Sequence, residues 1–215
     1  MKRILILCGT LLALAIPAGA ANVGDDGLHK ASWMRETFLD LREDLAEANA
    51  EGKRMAIIFE QRGCIYCEKM HKEVFPRPEI ESYINDNYFV VQLNLHGALE
   101  VTDFDGEVLS ERQAARKWGM LFTPTMIFLP QEVPDDVAAA QASVAMMPGA
   151  FGAQTTLDML TWVVEKRYEI EDGEDFQRYH ARRISERESE KKTMIWINVP
   201  LKLTQVDFFP CAAGL

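Results

Sequence analysis

The residues best suited to chemistry are Cys64 and Cys67, in Gly63-Cys64-Ile65-Tyr66-Cys67. Met55 to Glu60 is a short run of apolar, β-branched and aromatic residues, and Gln61-Arg62-Gly63 leads from it into the first cysteine. This pattern predicts a strand, a turn and a helix running from about Cys64 to Val74, ahead of Pro76 and Pro78. A thiol at a helix start lies among unpaired backbone N–H groups and at the positive end of the dipole, and both favour the thiolate. A thiolate there attacks a disulfide sulfur. A second thiol one turn along then displaces the substrate and closes an internal disulfide. Cys64 is therefore the expected nucleophile and Cys67 the resolving thiol. A disulfide that only braced the turn would close a loop of about four residues and restrict the unfolded chain little, so redox chemistry is the stronger reading.

Glu60 stands four residues before Cys64, where it can serve as a proton acceptor, although a carboxylate at a strand end is ordinarily solvated. His71 follows Cys67 by four positions and shares its helix face. It either tunes the thiols or joins them in a copper or zinc trio, for which the sequence offers no fourth ligand; the ordinary role of such a histidine is that of a boundary residue. Asp103-Phe104-Asp105-Gly106 looks like part of a calcium loop, but Val101 and Arg112 occupy its first and twelfth positions, where oxygen ligands are required. It is read as a turn. Cys211, beside Pro210, receives no catalytic role.

These residues need elements to position them. Trp33, Phe38, Leu39, Leu41, Leu45 and Ala46 recur at roughly helical spacing and predict a leading amphipathic helix ending near Gly52. After the cysteine helix, a second helix is expected from Pro78 through Ile84, and Tyr88 to Leu95 reads as a strand paired with that at Met55. Asp105-Gly106 turns a hairpin between Val101 and Leu109. Ser110 and Gln113 form a capping-box pattern for a helix that stops at Gly119, and Pro124 opens a strand over Thr125 to Leu129. An acidic, Ala-rich excursion over 130–142 precedes a last strand near Ser143 to Met147. Leu157 to Tyr168 reads as a final amphipathic helix, and the charge-dominated stretch 170–193 as a solvated surface feature.

The 215 residues suffice for one domain with appendages. Lys2 and Arg3, an apolar run from Ile4 to Ile16, and Ala18-Gly19-Ala20 read as a signal peptide (1–20) cleaved after Ala20, which places the protein in the periplasm. Leu7 precedes Cys8 where a lipoprotein signal needs a small residue, so lipidation is not expected. Residues 21–184 are assigned to the domain and 185–215 to a C-terminal extension of unknown role. No later apolar stretch is long enough to predict membrane insertion. Loss of the signal leaves 21 basic against 33 acidic residues, which argues against nucleic acid or anionic lipid as a partner.

The order strand, C-x-x-C helix, strand, helix, Phe122-Thr123-Pro124-Thr125 and strand, strand, Gly, helix resembles the thioredoxin superfamily from about Met55 to Tyr168. The resemblance implies an α/β thioredoxin-like fold, a central mixed sheet flanked by helices, here with an N-terminal helix, an inserted hairpin and a helical C-terminal extension. It also implies that Pro124 is cis, that Thr123 and Pro124 with Ile65 and Tyr66 form the substrate-binding set, and that no cofactor is used. Three features depart from ordinary cytoplasmic thioredoxin, which has a buried acid six residues before the first cysteine, a Trp just before it and a Pro between the cysteines: here stand Ile58, Gly63, and Ile65 with Tyr66. Cys64 to His71, the insertion after Asn94-Leu95-His96, Thr102 to Gly106 and Ala115 to Gly119 look like the periplasmic SoxW proteins of sulfur-oxidation operons, over roughly Asp26 to Tyr179. That likeness implies reduction of disulfides or sulfur adducts on exported protein substrates, with electrons from a membrane donor of the DsbD or CcdA type. The alternatives are a disulfide oxidase or isomerase, and a metal-delivery protein.

Overall fold

A computed structural model describes residues 22–170 and 173–198; the expected signal peptide, Cys8 and Cys211 lie outside them. The elements are β1 (Asn22–Val23), β2 (His29–Lys30), β3 (Met34–Arg35), α1 (Leu41–Ala50), β4 (Arg54–Glu60), α2 (Ile65–Lys69) continued by a π-turn (Met70–Val74), α3 (Pro78–Asn87), β5 (Tyr88–Asn94), β6 (Glu100–Thr102), β7 (Val108–Ser110), α4 (Glu111–Lys117), β8 (Thr125–Phe128), α5 (Ala139–Ala142), β9 (Ala145–Pro148), α6 (Ala153–Val164) and α7 (Phe176–Asn198). Five strands form one mixed sheet in the order β3-β5-β4-β8-β9. β4 is parallel to β5, with Ile58 opposite Gln92, and antiparallel to β8, with Phe59 opposite Thr125.

β4 is central and covered on both faces, which explains its nearly unbroken apolar run. Its alternation still sorts two layers. Ile57 and Phe59 pack with Leu41 and Leu45 of α1, Ala114 of α4 and Trp118. Ala56 and Ile58 face the other way, onto Met70 and Val74 after the cysteines, Ile80 of α3 and Leu160 of α6. The expected helices and strands of the thioredoxin-like fold are present, including the β6–β7 hairpin and the Ser110–Gln113 capping box. Asp103 ties that hairpin to the body: its carboxylate accepts from Trp118 Nε1 at 2.7 Å and from the Ala139 N–H at 2.9 Å.

The leading helix is shorter than its apolar spacing predicts. It begins at Leu41, because the Asp40 carboxylate accepts from the Arg42 and Glu43 N–H groups and caps it there. Trp33 instead packs edge-on against Phe75, Met34–Arg35 pairs with β5, and Phe38 is 98% exposed.

Within α1, Asp44 is buried with one side-chain partner, the Thr37 hydroxyl at 3.1 Å. Burial, reinforced by Asp40, Glu47 and Glu43, pushes its carboxyl up to about 7. Between about pH 4 and 7 the folded chain therefore holds a proton that the unfolded chain has released, and stability falls as pH rises through that window. Asp44→Asn is expected to stabilise the protein by about 1–2 kcal/mol above pH 7 and to flatten this slope, read from denaturant midpoints at acid and alkaline pH.

The charge-rich run forms α7, largely solvated as its composition predicts, yet anchored to the body by buried Tyr179, by Phe176 against Trp162, and by an ionic cluster. Asp158 of α6 is buried and accepts from Arg187 at 2.8 and 2.9 Å and pairs with His180 Nδ1 at 2.6 Å. Burial raises the Asp158 carboxyl, but these hydrogen bonds outweigh it and hold the group below its ordinary value. Asp158→Ala leaves the α7 cations without their shared acceptor. A loss of roughly 2–3 kcal/mol is expected, with faster proteolytic nicking of α7.

Candidate active site

β4 delivers the chain to the cysteines, and Gly63, at φ 71°, makes the left-handed turn that a residue with a side chain adopts only at a cost. Cys64 is the N-cap of α2, and its Sγ accepts from the Cys67 N–H at 3.0 Å. The two sulfurs are joined in a disulfide, with Cα atoms 5.2 Å apart. Cys67 is fully buried, whereas Cys64 keeps an edge exposed to a cavity of about 650 Å³. The pair is thus unequal before any chemistry occurs.

Thr123 closes the other side. The Thr123–Pro124 peptide is cis, the Thr123 carbonyl lies 3.4 Å from Cys64 Sγ, and the Thr123 hydroxyl lies 3.3 Å from the same sulfur. Pro124 follows and accepts the Gly149 N–H at 2.7 Å, so the loop after β9 is held against it. Ile65 and Tyr66 line the cavity and are 69% and 58% exposed. Leu121 and Phe122 add a second exposed apolar edge that the sequence reading left unassigned, although both directly precede Thr123. Gln61 lines the same cavity, and its Oε1 lies 2.9 Å from His96 Nε2.

Glu60 and His71 correct the sequence expectation. Neither is the solvated or boundary residue expected from its position: Glu60 is 0% and His71 3% exposed, and His71 Nε2 lies 2.9 Å from Glu60 Oε1. Gln92 Nε2 donates to Glu60 Oε2 at 2.6 Å and to the His29 carbonyl at 2.7 Å. The signal for Glu60 was present, since alternation along β4 puts it on the face of Ala56 and Ile58, toward the cysteine helix. Its partners Gln92 and His29 come from distant elements and carried no local mark. His71 is turned to Glu60, and among the described residues no group of three or more His, Cys, Asp or Glu is placed to hold a metal ion.

A C-x-x-C disulfide with Cys67 fully buried, Cys64 at the edge of an apolar cleft, and this fold around them define an enzyme of the thiol–disulfide oxidoreductase class. The family model of the thioredoxin-like domain matches residues 41–160, more than half of the sequence, and the chain belongs to that family. Among solved structures it is similar to a thioredoxin-fold protein from Helicobacter pylori, at 18% identity over 66% of this chain and 86% of that one, with a TM-score of 0.45. It is also similar to a thioredoxin from Thermus thermophilus, at 24% identity over 58% and 83% of the two chains, TM-score 0.43. A third likeness is to the reduced DsbD C-terminal domain of Neisseria meningitidis, at 13% identity over 56% and 91%, TM-score 0.38. No curated protein matches the sequence.

Proposed function

We propose that this protein works in the periplasm as a reductase of disulfides or sulfur adducts on exported proteins, in the manner of the SoxW proteins that its motifs resemble. The observation that carries the reading is the position of Cys64 Sγ, at the edge of an apolar cavity of about 650 Å³ and 3.4 Å from the Thr123 carbonyl. A partner segment extended along Thr123 by strand addition brings its disulfide to that sulfur. The Cys64 thiolate attacks one partner sulfur, forming a mixed disulfide and expelling the other as a thiolate. Cys67 then attacks Cys64 Sγ, the internal disulfide forms, and the partner leaves with both electrons. Ile65, Tyr66, Leu121 and Phe122 supply apolar contact for the partner.

The enzyme must then be re-reduced, and a membrane donor of the DsbD or CcdA type fits an exported reductase. No described helix is long and apolar enough to cross a membrane. The direction of electron flow is tested by equilibrating the Cys64–Cys67 couple with glutathione. A potential below about −250 mV is expected, and one at or above about −200 mV would contradict reduction as the working direction.

A further inference from the structure

Resolution requires the Cys67 thiol to lose a proton, yet Cys67 is fully buried. An internal base is therefore needed. Six residues before Cys64 stands Ile58, which cannot ionise and is itself in the core. His71 is better placed. It follows Cys67 by one helical turn, and side chains four apart share one face of a helix, so the two stand on the same side of the active-site helix. The helix continues there as a π-turn, with the Phe75 N–H bonded to the Met70 carbonyl at 2.8 Å, a departure that is frequent at functional sites.

The surroundings of His71 suit a group that gains and loses charge. Glu60 from β4 accepts at Nε2, and Gln92 from β5 holds the second Glu60 oxygen while its own Oε1 accepts from Lys30 Nζ at 2.7 Å. His29 from β2 stacks on the ring at 5.1 Å, Trp33 stacks at 6.5 Å, and Phe75 meets it edge-on at 5.2 Å. On its own helix, Glu68 and Lys72 pair with each other. Burial first, and His71 second, hold His29 below the usual histidine range, which keeps a competing positive charge away from the ring.

We propose that Cys67, His71 and Glu60 form a proton relay for the resolving step, in which His71 accepts the Cys67 proton and Glu60 is the positioning residue. The inference rests on the exchange reaction above. With Nε2–H donated to Glu60, Nδ1 keeps a lone pair. The Cys67 S–H proton passes to it, and the imidazolium is balanced by the Glu60 carboxylate. The Cys67 thiolate attacks Cys64 Sγ, the Cys64–Cys67 bond forms, and the bond from Cys64 to the partner breaks. The electron pair departs on the partner thiolate, and the proton leaves His71 for that thiolate or for water.

Reaction of the reduced protein with dithiobis-nitrobenzoate separates the two steps in one trace. The first thionitrobenzoate is released by Cys64 attack, the second by resolution. In His71→Gln and Glu60→Gln, the first release is expected to stay within about twofold of wild type and the second to slow by about tenfold or more. The wild-type second phase should also depend on pH in a way that the first phase does not and that His71→Gln removes. The first release is the internal control for folding, and His71→Gln alone suffices should Glu60→Gln not fold. An unchanged second phase, or both phases slowed equally, overturns the relay. A wild-type protein with no fast first release instead overturns the exchange reaction on which it rests.

Discussion

Cys64→Ser is expected to reduce disulfide reductase activity to background, a loss on the order of a thousandfold or more, because a serine hydroxyl is not ionised near neutral pH and cannot attack sulfur usefully. Among the described residues no other thiol can take over. Cys67 is fully buried beneath the turn, while Cys64 alone borders the cavity in which a partner disulfide can sit. The hydroxyl should still accept the Cys67 N–H, so α2 keeps its cap and the variant should fold. An insulin-type turbidity assay with dithiothreitol as reductant reads the loss, and a melting temperature near that of wild type shows that the loss is chemical. Retention of even a tenth of the activity would remove Cys64 from the role of nucleophile.

Cys67→Ser divides the reaction differently. Attack by Cys64 is preserved, but nothing displaces the partner, so turnover is expected to fall by about two orders of magnitude or more while a covalent adduct accumulates. The adduct should be linked through Cys64, survive denaturing electrophoresis without reductant and disappear on addition of a small thiol. Applied to a periplasmic extract, the same variant identifies the partners by mass. An adduct that forms equally well in a Cys64→Ser, Cys67→Ser double variant would mean that the capture is unrelated to the exchange site.

Much of this arrangement was legible in the sequence because its signals are local. Strand, glycine turn and cysteine-capped helix follow one another over residues 54–69, and each is marked by its own residue types. The capping box at Ser110 and the Asp105-Gly106 turn are equally local. The thioredoxin-like resemblance supplied what spacing could not, a cis Pro124 beside Cys64.

What the sequence concealed depends on distant partners. The spacing from Trp33 to Ala46 is helical, but β3 pairs with β5 more than 50 residues away, and one aspartate, Asp40, fixes the helix start. Glu60 has the position of a solvated strand end, and only His71, Gln92 and the stacked His29 show why burial is tolerated. The charges of α7 read as solvation until Asp158, on the preceding helix, is seen to gather His180 and Arg187.

The two cysteines are expected to be chemically unequal, with Cys64 the helix-start thiolate. Alkylation of the reduced protein with iodoacetamide at graded pH, followed by peptide mass analysis, measures this directly. The predicted result is modification of Cys64 well below the pH at which a free thiol reacts, with Cys67 lagging far behind. Equal modification of both, or reaction first at Cys67, would show that the helix start does not hold Cys64 as the nucleophilic thiolate.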